Sequence, residues 1–144
     1  MGKKRIVKKT GSDKGALKSR SLSKLPKKKI VSGILHVQST YNNTRVSLTD
    51  KNGNLACSSS SGSLGFKGAK KGTPFAAAKV GELIGEKAKT MGVRDVSVIV
   101  KGVGAGRESS IRGFLSTSGS EIKVIKDETP VPHNGPRPKK PRRV

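Results

Sequence analysis

Between residues 30 and 128 the apolar positions recur at regular intervals, first with the period of strands, then of a helix, then of strand and helix in turn. Outside those limits no period is visible. Ile34, His36 and Val37 fall in a strand running from Ile30 to about Thr40, and the polar stretch 40–44, with Asn42 and Asn43, reads as a turn. Arg45–Thr49 alternates as a second strand. Residues 50–53 form a hairpin turn in which Asn52-Gly53 suits the two positive φ angles of type I′. A third strand follows from Leu55 to about Ser59.

The chain then dissolves into serine, glycine and lysine until Thr73, a fitting N-cap, and Pro74, which suits the first position of a helix. Ala76, Val80, Leu83, Ile84, Ala88 and Met91 make one apolar face, and Gly92 ends the helix. Gly81 and Gly85 each cost a helix roughly 1 kcal/mol relative to alanine, so their spacing of four predicts a close neighbour. Val96–Val100 is apolar except for Ser97, as in an interior strand covered on both faces. A glycine turn leads into a short helix with Ile111, Phe114 and Leu115, and 121–126 is a last strand. The order predicts an α/β domain, a mixed sheet flanked by helices. Both strand-to-helix loops, rich in Gly and Lys, should emerge at the same sheet edge, where such folds bind ligands.

Charge divides the chain into three parts. The net charge is +22, with 12 basic and 1 acidic residues in 1–30, and 5 basic and no acidic residues in 131–144. The expected organisation is a basic arm over 1–29, disordered without a partner, a domain over 30–128, and a Pro-rich basic tail over 129–144. Two arms that repel one another gain order only against a polyanion. No amphipathic stretch suits a membrane surface, and no apolar run suits a transmembrane helix or signal peptide. The expected location is cytoplasmic.

The strand, glycine turn and helix start of 96–113 leave backbone N–H groups unpaired beside Lys101, Arg107 and Arg112, which makes an anion site. The N–H groups after Gly104 and Gly106 give it direction. Lys67, Lys70 and Lys71 lie in the other glycine loop, and Lys27, Lys28 and Lys29 close the arm. In the tail, Arg137, Lys139, Lys140, Arg142 and Arg143 are spaced along a semi-rigid strip, with His133 and Asn134 at a turn. These residues, with Asn42 and Asn43, are the candidate contacts, and nucleic-acid phosphate is the candidate ligand.

Other chemistries fit poorly. In Gly102-Val-Gly-Ala-Gly106 the third glycine comes one residue early for a dinucleotide fingerprint, and Lys71-Gly72-Thr73 lacks P-loop order. Asp50, Asp95 and Asp127 stand singly, His36 and His133 lack metal-ligand spacing, and Cys57 reads as a small buried side chain. Neither an enzyme, a cofactor nor a metal site is expected. Aromatic residues are few, so shape and phosphate recognition is favoured over base stacking, with Tyr41 and Phe66 divided between RNA and the chain's own core. A basic DNA-compacting protein is the alternative.

Four stretches, 33–54 (GILHVQSTYNNTRVSLTDKNGN), 62–82 (GSLGFKGAKKGTPFAAAKVGE), 100–114 (VKGVGAGRESSIRGF) and 127–144 (DETPVPHNGPRPKKPRRV), resemble the universal small-subunit ribosomal protein eleven family in its bacterial form. The resemblance implies a three-layer, ribonuclease-H-like α/β domain with helices on both faces and no nuclease function. It also implies a 30S platform protein, located in the ribosome of a bacterium or plastid, that binds 16S ribosomal RNA near the messenger RNA exit path. Small-subunit proteins six, eighteen and twenty-one are the implied neighbours. Val103 and Ala105 stand where the family commonly has prolines, Ser58 near a common tryptophan, and Pro136 where cysteine is frequent.

Overall fold

Short polar links allow only antiparallel neighbours, whereas helical crossovers return the chain in parallel. The computed structural model, which describes residues 29–143, contains both. Strands β1 (Ser32–Ser39), β2 (Thr44–Asp50) and β3 (Leu55–Ser60) form an antiparallel meander. A 3₁₀ turn (Gly68–Gly72) and helix α1 (Pro74–Met91) carry the chain to β4 (Asp95–Lys101), and helix α2 (Arg107–Ser118) carries it on to β5 (Glu121–Asp127). β4 pairs in parallel with β1, and β5 with β4, giving the order β3-β2-β1-β4-β5. This is the mixed α/β sheet that the residue pattern predicts.

Among the described residues the helices lie on one side of the sheet. Both crossovers step across the sheet in the same direction, and right-handed crossovers of that kind place their helices on one face. α1 and α2 share that face and pack on each other, so among the described residues only one face of the sheet carries helices. β4 records the asymmetry. Val96, Val98 and Val100 are buried beneath the helices, while Ser97 and Ile99 on the other face are only partly covered. The apolar run misleads because valine and isoleucine suit a strand on either face.

Leu35, Val37, Val46 and Leu48 of the sheet meet Val80, Ile84 and Phe114 of the helices in one core. The close neighbour of Gly81 and Gly85 is α2. A Cβ on Gly81 would lie 2.1 Å from the Ser110 carbonyl oxygen, and one on Gly113 would lie 2.4 Å from that of Ala78. Thr73 caps α1 by accepting the Ala76 N–H at 3.3 Å, Pro74 occupies its first position, and Gly92 closes it at φ 77°. The β2–β3 turn is a second departure. Gly53 has φ 87°, but Asn52 does not share the positive φ that type I′ requires. Asp50 explains this: its carboxylate accepts the N–H groups of Asn52 and Asn54 at 2.9 Å each and holds the turn open by one residue.

Candidate nucleic-acid interface

Four strands run the same way, so their C-terminal ends share one edge of the sheet. From that edge emerge the link 40–43, the lysine loop 61–73, the glycine loop 102–106 and the tail after β5. They are packed together. The Gly104 N–H donates to the Ser39 carbonyl at 3.1 Å, and the Ser61 N–H to that of Thr44 at 3.0 Å. A Cβ on Gly72 would lie 2.1 Å from the Tyr41 carbonyl oxygen, and one on Gly104 would lie 2.2 Å from that of Thr40. The expected common edge for both loops is therefore present, and the tail joins it.

The glycine loop is built differently from the anion cradle that its sequence suggests. Gly104 and Gly106 are buried, and the Gly104 N–H is already engaged by Ser39. A Cβ on Gly106 would lie 2.3 Å from the Thr44 hydroxyl oxygen. These glycines let the loop lie against the end of β1 and the start of β2. Arg107 turns back on its own chain, donating to the Gly102 carbonyl, to the Thr129 hydroxyl and to the Asp127 carboxylate. Asp127 also accepts the Thr129 hydroxyl at 2.6 Å and the Thr129 N–H at 3.0 Å. The Thr129 hydroxyl accepts the Gly102 N–H at 3.2 Å. The Thr129 hydrogen bonds, and then the Arg107 guanidinium, hold the Asp127 carboxyl at about 2. Lys101 is 3.6 Å from the Glu128 carboxylate, and Arg112 pairs with Glu108 one turn earlier in α2. All three cations expected to clamp a phosphate thus have an acidic partner.

The lysine loop has none. No acidic residue lies between Asp50 and Glu82 in the sequence, and no ion pair among the described residues involves Lys67, Lys70 or Lys71. Lys67 and Lys70 are exposed and Lys71 is half-buried. The serine run before them is ordered by its own hydroxyls. Ser63 Oγ donates to the Ser60 carbonyl at 2.7 Å and accepts the Ser60 N–H at 2.9 Å. Beyond β5 the tail is exposed from Pro130 to Arg143, with a bend at His133 and Asn134 where Asn134 takes φ 50°. Arg137, Lys139, Lys140, Arg142 and Arg143 all lie on this exposed strip, and Lys29 is exposed at the opposite end of the described chain. Lys27, Lys28 and the rest of the expected arm lie outside the described residues.

In the 40–43 link, Asn42 is exposed, while Asn43 is tied to Thr40 through its backbone. Asn43 Oδ1 is the one buried side-chain polar atom among the described residues without a hydrogen-bond partner. His36 is partly buried and lies 3.2 Å from the Thr49 hydroxyl, a structural contact. Burial pushes the Cys57 thiol up to about 11, as befits a small core residue. Among the described residues, no cluster of three potential metal ligands and no helix able to span a membrane occurs. The sequence pattern does not show the pairing of Lys101 and Arg107, because their partners Glu128 and Asp127 lie at the end of β5, just before a basic tail. Phe75 is a further exposed residue that the pattern does not single out. It lies outside the apolar periodicity of α1, which was the available sign that it faces out.

The described residues thus form a basic α/β domain that gathers its loops and tail at one sheet edge. Comparison with known proteins narrows this. The model of the ribosomal protein S11 family matches residues 33–143. The small ribosomal subunit protein uS11 of Solibacter usitatus (strain Ellin6076) is 50% identical over 127 residues, 88% of this chain and 93% of the relative. The uS11c protein of Oltmannsiellopsis viridis is 51% identical over 125 residues, covering 87% and 96% of the two chains. The small ribosomal subunit protein uS11 of Thermosynechococcus vestitus (strain NIES-2133 / IAM M-273 / BP-1) is 51% identical over 125 residues, covering 87% and 95%. The chain belongs to the ribosomal protein S11 family, and it is a structural ribosomal protein rather than an enzyme.

Proposed function

We propose that this protein binds 16S ribosomal RNA in the platform of the small subunit, near the messenger RNA exit path, by phosphate and shape recognition. One observation carries the reading: the acid-free lysine loop and the basic tail converge on one sheet edge, where a folded RNA meets both at once. The proposed division of labour follows the three parts of the chain. The domain over 30–128 presents the edge, the tail over 129–144 follows the RNA backbone, and the arm over 1–29 adds charge. Lys67, Lys70, Lys71, Arg137, Lys139, Lys140, Arg142 and Arg143 are the principal proposed phosphate contacts. Lys101 and Arg112 join by exchanging a carboxylate for a phosphate. Such exposed pairs are worth only about 0–1 kcal/mol, so the exchange is cheap. Arg107, Gly104 and Gly106 hold the loop and the tail in place. Small-subunit proteins six, eighteen and twenty-one are the proposed neighbours. The host ribosome is in the cytoplasm or a plastid.

The test is competition. A 16S ribosomal RNA transcript should displace duplex DNA from the full-length protein at moderate salt, and the protein should sediment with the small subunit from an extract. Equal affinity for duplex DNA, without sedimentation, would favour a DNA-compacting role.

A further inference from the structure

Phe75 is an exposed aromatic ring in a basic surface, and its setting asks for an occupant. It stands at the second position of α1, is 65% exposed, and lies off the face that packs on the sheet. Two contacts hold it. Phe66 of the lysine loop meets it edge to face, with centroids 6.1 Å apart and planes at 85°. The Lys79 ammonium lies 5.8 Å from its centroid, near the outer limit of a cation–π contact. Neither partner stacks flat on the ring. Tyr41, 80% exposed, is brought to the same segment by the backbone contact at Gly72.

From this geometry we infer that Phe75 is a stacking platform for one unpaired nucleobase, whose flanking phosphates meet Lys67, Lys70 and Lys71. The inference rests on the RNA-binding reading above and adds a base contact to it. A nucleobase fits better than a protein side chain. The cores of protein interfaces are depleted in lysine, whereas aromatic rings set among cations are how single strands are held. A ring already fixed by Phe66 loses little freedom when a base settles on it, so the contact is pre-organised.

The chain contains no tryptophan, which makes Phe75→Trp a clean reporter. The full-length protein and its variants are titrated with a 16S ribosomal RNA transcript and with a perfect RNA duplex. Stacking on an aromatic ring is worth about 1–3 kcal/mol per base, so Phe75→Leu should weaken transcript binding roughly tenfold while leaving the melting temperature and duplex binding unchanged. Phe75→Trp should restore affinity, and its fluorescence should be quenched by the transcript but not by the duplex. Wild-type affinity in Phe75→Leu, alongside a loss in a Lys67, Lys70 and Lys71 triple alanine variant, overturns the stacking site and leaves the RNA-binding reading intact. Failure of the wild-type protein to bind the transcript overturns both. If Phe75→Leu binds RNA normally but no longer enters the small subunit, the ring meets a neighbouring protein, and the inference is wrong.

Discussion

The two strand-to-helix loops share an edge and a composition of glycines and cations, yet they are built on opposite principles. The glycine loop is tied down. Gly102 and Gly104 lie against backbone and Gly106 against side chains, Arg107 spans Gly102, Asp127 and Thr129, and each neighbouring cation has a carboxylate. Among the described residues the lysine loop has no acidic partner in an ion pair, and it uses serine hydroxyls to keep its shape. A glycine-rich turn beside positive charge is therefore not in itself an anion site. What separates the two loops is whether the described chain supplies a counter-charge: it does for the glycine loop and does not for the lysine loop.

Glycine substitutions should separate the loops most sharply. Gly104→Ala drives a Cβ to 2.2 Å from the Thr40 carbonyl oxygen, and overpacking of this kind costs about 1–3 kcal/mol. In Gly62→Ala the nearest atom is the flexible Lys71 side chain at 3.7 Å, so stability should change by less than about 0.5 kcal/mol. Thermal unfolding of the two variants checks this, and similar melting temperatures would erase the distinction.

Binding should divide in the opposite sense. Alanine at Lys67, Lys70 and Lys71 together should reduce the slope of log affinity against log salt by about 2, since each lost phosphate contact removes roughly 0.7–0.9. Lys101→Ala should change it by less than about 0.5, because its charge is partly answered by Glu128. A larger change from Lys101 would return the phosphate site to the glycine loop.

The tie between loop and tail should be visible in acid. Asp127 titrates at about 2 in the fold, below its ordinary 3.8. A depressed carboxylate contributes stability that is complete above the unfolded value and lost as pH falls towards the folded one. Asp127→Asn should therefore melt lower than wild type at pH 7, and the difference should close between about pH 4 and pH 2. A difference that persists unchanged at pH 2 would assign it to packing. The smallest effect is expected from Arg112→Ala, whose exposed pair with Glu108 is worth at most about 0.5 kcal/mol.

Much of the fold was legible because the signals were local. The Thr73-Pro74 start, the Gly92 stop and the spacing of Gly81 and Gly85 each reflect a backbone requirement that one or two residues announce. Layering was not, since it depends on the direction of both crossovers, and the valines of β4 read the same under one helix layer or two. The candidate site was legible as composition but not as connectivity. Arg107 and Asp127 are 20 residues apart, and nothing in their spacing shows that the first answers the second. Asn52 misled similarly, because the Asp50 carboxylate overrode the turn its neighbours suggest.

The proposal that this edge faces RNA is tested most directly by lysine acylation, read residue by residue by mass spectrometry, in the free protein and in its complex with a 16S ribosomal RNA transcript. Lys67, Lys70, Lys71, Lys139 and Lys140 should be strongly protected in the complex. Lys101 should be protected less. Lys51 in the β2–β3 turn and Lys123, paired with Asp95 at 2.8 Å near the start of β5, lie at the far edge and should react as in the free protein. Protection centred on Lys51 and Lys123, with the lysine loop left reactive, would contradict the assignment.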